Sequence, residues 1–358
     1  MDFFSRTQMS GPCGLFNLKP QAPGEHAVTI QQVALDNILS AIGNTPIVSL
    51  QKIAPNLAVN LFGKCEHLNP AGSVKDRMAL HMIEMAEKEG LLRPGGTIIE
   101  ATSGNTGMGL AMVSALRGYK CIFVMADKQA PEKRYALEAI GAKVIMCPTN
   151  VEPEDPRSYY QVAARLARET PNSYYTNQYI NPHNPDAHFY KTGPEIFKQC
   201  GTSLDYLILG IGTGGTVCGL SRYLREKIPH LKIIGVDPVG SLYYDLFHTG
   251  KNIEPHSYLV EGIGEDFMPK TMDLKHMDDI VQVGDEESFV MARRLVRELG
   301  LLVGGSTGSA VLGAIKYFEQ NPNIPAGKNA LVILVDSSTR YLSKYLKDEW
   351  MKEHGFRV

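Results

Sequence analysis

The sequence predicts an α/β fold of two lobes, each with a mostly parallel sheet flanked by helices. Two observations carry this. Short apolar runs alternate with stretches of helical spacing from about residue 33 onward, the pattern of strands joined by crossover helices. At 358 residues, 44% of them hydrophobic, the chain exceeds one minimal core and can bury a sizeable interior.

Residues 1–32 hold Gly11, Pro12, Gly14, Pro20, Pro23 and Gly24 with little periodicity, so an irregular arm is expected there. Leu35, Ile38, Leu39 and Ile42 have helical spacing, and Gly43 ends that helix. Strands are predicted near 47–50 and 59–64, then a helix over 78–89 that stops at Gly90. A buried strand at 97–100 leads through a small-residue turn into a helix ending at Arg117. Strands at 121–125 and 143–146 bracket a helix at 132–140, and a helix covers 158–169. A loop rich in proline and asparagine follows Asn181 and enters a helix near 194–199. Further strands are predicted at 204–209, 233–236 and 330–335, with helices at 218–227, 286–299 and 309–319. The catalytic domain is expected over 33–345, its smaller lobe roughly 76–185 and its larger lobe the remainder, followed by a tail at 346–358.

The formal charge of −2, without basic runs, argues against nucleic acid as the main partner. No apolar run approaches the roughly 20 residues that span a bilayer, and no signal peptide is visible at the N-terminus. The six cysteines, Cys13, Cys65, Cys121, Cys147, Cys200 and Cys218, are scattered without a CxxC pair. Reduced thiols in a cytoplasmic protein, with no membrane partner, are the expectation.

Three distant segments make sense as one site. Residues 69–77 read NPAGSVKDR and place Lys75 at a predicted helix start. Residues 102–107 read TSGNTG, offering hydroxyls, an amide and backbone N–H groups at another helix start, which suits a carboxylate. Residues 212–216 read GTGGT, a glycine-rich strand-to-helix turn shaped to hold phosphate. In such sheets, sites gather beyond the carboxyl ends of the strands. A lysine, an amide loop and a phosphate nest together suggest an aldehyde cofactor that carries a phosphate, pyridoxal 5'-phosphate (PLP). A Schiff-base lysine needs a neutral amine near pH 7, well below the usual value of about 10.4. Taken singly, the first two segments have plainer readings: a solvated lysine paired with Asp76, and an N-capped helix after a buried strand. Gly210, Gly212 and Gly215, with Asp237 farther along, also imitate the dinucleotide fingerprint and support a rival nicotinamide-dependent oxidoreductase. That rival leaves Lys75 and TSGNTG without a role. Residues 304–310, GGSTGSA, form a further small-residue turn, where Ser306 is either a helix cap or a hydroxyl for a ring nitrogen.

Together these residues resemble the fold-type II PLP-dependent enzymes of the cysteine synthase and cystathionine β-synthase group, over about residues 35–356. Within that group, residues 261–267 (EGIGEDF) resemble the EGIGxDF of the cystathionine β-synthase branch. Cysteine synthases usually lack both the leading glutamate and the aspartate. Tyr179 stands where cysteine synthases commonly have phenylalanine, and residues 340–356 resemble the end of a cystathionine β-synthase core. The resemblance implies an active site between the lobes, a homodimer, and small amino-acid and thiol substrates. It implies that Lys75 carries PLP and acts as the base, and that Asn105 meets the cofactor's phenolic oxygen. Gly212, Thr213, Gly214, Gly215 and Thr216 hold the phosphate, and Ser306 meets the pyridine nitrogen. Thr102, Ser103, Thr106 and Gln178 bind the substrate carboxylate, while Tyr179 and Glu261 line the space of the second substrate.

The implied reaction replaces the hydroxyl of serine with the thiol of homocysteine. A cysteine synthase acting on O-acetylserine and sulfide is the alternative, and a degenerate relative kept for binding is a non-enzymatic one. Some members carry haem on an N-terminal cysteine and histidine. Cys13 and His26 have a similar separation, but their surroundings match poorly and a structural pair is the plainer reading. No other metal is expected. The chain ends soon after the catalytic core, so a C-terminal regulatory module, and activation by S-adenosylmethionine through it, are not expected.

Overall fold

The computed structural model describes residues 34–102, 104–152 and 154–358. Cys13, His26 and Ser103 therefore lie outside the described residues, as does the predicted arm. Residues 37–358 form one compact unit built on two sheets.

The larger sheet has six strands in the order β1-β2-β10-β7-β8-β9. They are β1 (Ile47–Ser49), β2 (Asn60–Lys64), β7 (Tyr206–Gly210), β8 (Lys232–Pro238), β9 (Asp279–Val283) and β10 (Asn329–Ile333). The smaller sheet runs β5-β4-β3-β6, from β3 (Thr97–Ala101), β4 (Lys120–Ala126), β5 (Lys143–Cys147) and β6 (Ser173–Tyr175). Every pair is parallel except β1 against β2, whose register puts Val48 opposite Gly63.

Parallel strands need crossover connections, and helices supply most of them. The helices are α1 (Lys75–Lys88), α2 (Asn105–Arg117), α3 (Pro131–Ala139), α4 (Tyr159–Glu169), α5 (His183–Ala187) and α6 (Gly193–Cys200). They continue with α7 (Gly215–Lys227), α8 (Tyr243–Thr249), α9 (Asp285–Leu299), α10 (Gly305–Gln320) and α11 (Asp348–Glu353). Both faces of the larger sheet are covered. Leu61, Ile208, Ile234 and Val332 pack on one face with Leu295 of α9 and Val311 of α10. Their neighbours Leu207, Ile233, Leu331 and Ile333 pack on the other with Leu220 and Leu224 of α7. This alternation is the period of two that a pleated strand imposes. In the smaller lobe, Met78, Met82 and Ile83 of α1 pack with Leu110 of α2 and Phe123 of β4.

The predicted helix around Leu35 to Ile42 is a short 3-10 turn, Ile38–Ala41, capped by Asn37, whose side chain accepts from Leu39 N at 2.9 Å. Only Leu39 of the four spaced residues is buried, so the helical spacing had no partner surface to reward it. The loop after Asn181 is instead helical, with α5, a π-helical turn at His188–Thr192, and α6 in succession. Pro194 sits where it does little harm, in the first turn of α6, which needs no intrahelical N–H there. The strands β6 and β9 and the helices α8 and α11 are additional to the predicted set. In α11, Met351 is buried, and Trp350 packs with Phe356 on the cluster around Phe289 and Tyr345, so part of the predicted tail joins the core.

Among the described residues, no helix is long and apolar enough to cross a membrane. The cysteines of the described residues are free, Cys65, Cys121, Cys147 and Cys218 buried and Cys200 half-buried. Burial pushes the Cys65, Cys121 and Cys218 thiols up to about 11, so they stay protonated and inert at neutral pH.

Glu100 on β3 is fully buried, accepting from the Thr176 hydroxyl and, at 3.3 Å, from Gln178 N. Burial pushes its carboxyl up to about 7. The folded state therefore keeps a proton that the unfolded chain has already lost. That contribution is complete below the unfolded value and disappears as pH rises through 7. Parent minus Glu100→Gln stability should fall by roughly 2 kcal/mol between pH 5.5 and 8. Urea unfolding of both proteins at the two pH values measures this, and identical pH dependence would contradict it.

Candidate active site

Lys75 opens α1, preceded by a turn that the far end of β10 holds in place. Val74 N donates to Val335 O at 2.9 Å, and Ser73 forms an isolated bridge with Asp336. Gly72, at φ +83, supplies the left-handed residue of the turn. Lys75 N donates to the Ser73 hydroxyl at 3.2 Å. Asp76 is not the partner of Lys75, because its carboxylate accepts from Ala71 N at 2.6 Å within the same turn. Lys75 instead lines a cleft with Gly212, Thr213, Gly214 and Thr216 on one side and Gly262 and Ile263 on another. Burial pushes its ammonium below the ordinary lysine value, against the pull of Glu265 and Asp336. A lysine so placed is closer to the neutral amine that Schiff-base and general-base chemistry require.

The glycine-rich turn follows β7 and opens α7. Its carbonyls are taken up behind it: Gly212 O by the Tyr243 hydroxyl at 2.7 Å, Thr213 O by the Thr271 hydroxyl at 2.5 Å, and Gly214 O by Cys218 N at 2.9 Å. The N–H groups of the first helical turn have no carbonyl within the helix to receive them and suit an anion. The turn also demands glycine. Gly214 has φ +86, and a Cβ there would lie 2.5 Å from Met272 Cα. A Cβ on Gly215 would lie 1.9 Å from Asn184 Oδ1. Asn184 donates to Thr213 Oγ1 at 3.2 Å and to Gln178 O at 2.8 Å, and its own Oδ1 is buried without a hydrogen-bond partner. Beneath the turn, His188 Nε2 sits 3.3 Å from the Thr216 hydroxyl. Burial, then the nearby Lys75, keep His188 well below the usual histidine value, so it is neutral.

The second segment opens α2. The Thr102 hydroxyl accepts from Gly104 N at 3.0 Å and from Gly107 N at 3.3 Å, so it shapes the turn from within. Gly104, at φ +119, lies against Lys133, whose Cδ would be 2.8 Å from an added Cβ. Thr106 donates to Gln178 Oε1 at 2.8 Å, and Gln178 Nε2 donates to Ala101 O at 3.2 Å. The structure thus links TSGNTG, Gln178, Asn184 and Thr213 into one chain of contacts. Asn105 is buried, donates to Asp336 Oδ2 at 2.7 Å, and has Oδ1 without a hydrogen-bond partner. Ser306 is buried in the first turn of α10, and Gly304 just before it donates its N–H to Asp336 O at 2.9 Å.

The segment 261–267 packs against the glycine-rich turn. Gly264 N donates to Ile211 O at 2.7 Å, and a Cβ on Gly212 would lie 3.1 Å from Gly262 O. Glu261 has company that its sequence did not suggest. Its two oxygens are held by Lys133 of α3 and Lys344, so the carboxylate does not stand free for a substrate amine. Burial alone would raise its carboxyl, but the two ammonium groups outweigh this and hold it below the ordinary value. Tyr179 is buried beside Tyr160 and Phe267, with ring centroids 5.4 and 5.3 Å away, and its hydroxyl lies 3.4 Å from that of Tyr159. Glu265 was not among the expected site residues. Burial, with Asp266 beside it, pushes its carboxyl well above the usual range although Lys75 pulls the other way. Asp237 of the dinucleotide-like pattern turns inward and accepts from Tyr244 N at 3.0 Å.

The residues present fit a phosphorylated aldehyde: an anion cradle that side chains would fill, a lysine with a weakened hold on its proton, and the amide N–H groups of a buried Asn105. Among the described residues, no group of three histidines, cysteines or acids is placed to hold a metal ion.

Comparison with known proteins agrees. The sequence model described as "Pyridoxal-phosphate dependent enzyme" matches residues 38–336. A cystathionine beta-synthase of Apis mellifera is 47% identical over 324 residues, 90% of this chain and 63% of the relative. A cysteine synthase of Staphylococcus aureus is 38% identical over 314 residues, 87% of this chain and 97% of the relative. The crystal structure of an O-acetylserine dependent cystathionine beta-synthase from Helicobacter pylori superposes with a TM-score of 0.79 at 38% identity, covering 87% of this chain and 98% of the other. The chain spans 60–64% of the length of the curated cystathionine beta-synthases it matches.

Gly215→Ala tests the cradle. The added methyl must displace Asn184 and unlink the phosphate turn from Gln178. Cofactor affinity, followed by PLP titration of the resolved apoprotein, should fall about tenfold or more, the loss of one charge-assisted contact. Unchanged affinity would show that the turn does not hold the phosphate.

Proposed function

The chain belongs to the pyridoxal-phosphate dependent enzymes, and from that membership we propose that it replaces the β-substituent of a serine-type amino acid with a thiol, as a cystathionine β-synthase does. In this reading, L-serine and L-homocysteine give L-cystathionine and water. The observation that carries the choice is the position of EGIGEDF, the segment that sets the two branches apart. Its Gly262 and Ile263 line the cleft with Lys75 and pack against the glycine-rich turn. The identity of 47% to a cystathionine beta-synthase over 90% of the chain supports the same choice.

Each residue then has a task. The first N–H groups of α7, with Thr213 and Thr216, bind the cofactor phosphate through Gly212, Gly214 and Gly215. Asn184 and neutral His188 brace those two hydroxyls from behind. Ser306 offers a neutral hydroxyl to the ring nitrogen, which keeps the ring less electron-withdrawing than a carboxylate partner would. When bound, PLP supplies an electron sink for the substrate's α-carbon. The start of α2, with Thr102, Ser103 and Thr106, receives the substrate carboxylate, and Gln178 fixes Thr106. Lys75 Nζ, its hold on the proton weakened by burial, takes the α-proton and then delivers a proton to the departing hydroxyl. The aromatic group of Tyr159, Tyr160, Tyr179 and Phe267 keeps water from the thiol's approach. Glu261, clamped by two lysines, shapes that side of the cleft by holding Lys133 under the TSGNTG turn. The family resemblance further supports a cytoplasmic homodimer.

A cysteine synthase acting on O-acetylserine and sulfide is the second reading. It is favoured by the match along 97% of a cysteine synthase and by the likeness to the O-acetylserine dependent enzyme. One steady-state experiment separates the two: serine and O-acetylserine, each crossed with homocysteine, cysteine and sulfide. The highest kcat/KM should fall to a pair containing homocysteine, with serine as its first substrate. Faster turnover with O-acetylserine and sulfide would replace the first reading with the second.

A further inference from the structure

Asp336 lies three residues beyond the end of β10, fully buried, in no motif that the sequence marks. Its side chain accepts two hydrogen bonds on one oxygen. Asn105 Nδ2 and the Tyr341 hydroxyl both donate to Oδ2, each at 2.7 Å. Its other oxygen is buried without a hydrogen-bond partner and lies so close to Gly304 that an added Cβ would come within 2.0 Å. Its backbone completes the arrangement. Asp336 bridges to Ser73 in the turn before Lys75, and its carbonyl accepts from Gly304 N in the turn before Ser306. Three segments expected at the cofactor therefore meet on one residue, separated from Asn105 by 231 positions in the chain.

We propose that Asp336 is a positioning residue: its carboxylate fixes the orientation of the Asn105 amide toward the cofactor while its backbone holds the Lys75 and Ser306 turns. This rests on reading the cleft as a PLP site. The physical reason lies in the asymmetry of a carboxamide. One edge donates and the other accepts, and the two are nearly equal in shape. The Asp336 oxygen that accepts from the Tyr341 hydroxyl also accepts from the NH2 edge of Asn105, whereas the flipped amide would set two oxygens against each other. The amide then has one N–H left for an oxygen acceptor. Tyr341 donates to the same carboxylate oxygen and so restrains Asp336 from turning to follow Asn105. The close approach of Gly304 prevents the other rotation.

The test is a double-mutant comparison on the PLP-loaded protein, read in the visible absorption band of the bound cofactor, in kcat/KM, and in urea stability. Asp336→Ala and Asn105→Ala should shift the band in the same direction, each with a loss of about ten- to a hundred-fold in kcat/KM. The double variant should go no further than Asn105→Ala alone. Asp336→Asn keeps an oxygen acceptor and should restore the parent band at least in part. If Asp336→Ala does not fold, Asp336→Ser, too short to reach Asn105, carries the same expectations. A parent-like band in Asp336→Ala or Asp336→Ser, or losses that multiply in the double variant, would overturn the proposal and leave Asp336 as a brace of the fold. A parent protein with no visible band after loading with PLP would overturn the cofactor reading and this proposal with it. A parent with the band but without β-replacement would overturn only the proposed reaction.

Discussion

The structure depends on what happens where β10 runs out. Its five residues lie at the centre of the larger sheet, paired with β2 on one side and β7 on the other. Beyond Ile333 the chain stays extended and exchanges one sheet partner for another. Leu334 N donates to Lys64 O, Val335 O accepts from Val74 N, and Asp336 reaches Ser73, Asn105 and Gly304. Lys75 thus takes its place from a backbone pairing in the larger lobe, although its helix packs in the smaller one. A Schiff-base lysine must be held within fractions of an ångström of its target, and packed backbone does that better than a loop.

A buried ion cluster fixes the other side of the same helix. Arg77 donates to Glu66 from two of its nitrogens, at 2.6 and 2.8 Å, and to Glu195 at 2.8 Å. Lys64 donates to Glu195 and to Thr45 O, the latter at 2.6 Å. Burial would raise the Glu195 carboxyl, but Arg77 and Lys64 lower it to about 2. Two cations and two carboxylates tie β2, the first turns of α1, and α6 together. Desolvating four charges is costly, and an apolar replacement of equal shape is often as stable. What such a cluster supplies is direction. It sets the rotation of α1, and with it the direction of Lys75, two residues before Arg77.

Much of this was legible in the sequence wherever function and local backbone geometry coincide. The GTGGT and TSGNTG turns announced themselves because a chain that must pass close to a ligand or to its own backbone has to use glycine, as Gly214, Gly215 and Gly104 do. Lys75 stood out through the turn before it. The strands β7, β8 and β10 read well because burial on both faces leaves continuous apolar runs. The elements that escaped have weak local signals. β6 is three residues long, all half-buried, and β9 carries Asp279 and Gln282 within five residues. The segment around Asn181 looked like a loop because its prolines and asparagines favour turns. Its helices are held by tertiary contacts such as that of Gly219 against Pro185 O, where an added Cβ would come within 2.1 Å. Asp336, Lys133 and Lys344 left no trace, since Asn105, which Asp336 holds, and Glu261, which the two lysines hold, lie 83 to 231 positions away from them. Glu261 shows the limit from the other direction. Its motif identified it, but only the fold shows that two lysines already occupy it.

The central claim is that three turns converge on Lys75 as the lysine that carries the cofactor. Reduction of the PLP-loaded protein with borohydride, followed by peptide mass mapping, tests it most directly. The account predicts a single pyridoxyl label on the peptide that contains Lys75. A label on Lys64 or Lys133, which are fully buried, or no label on any lysine, would contradict it.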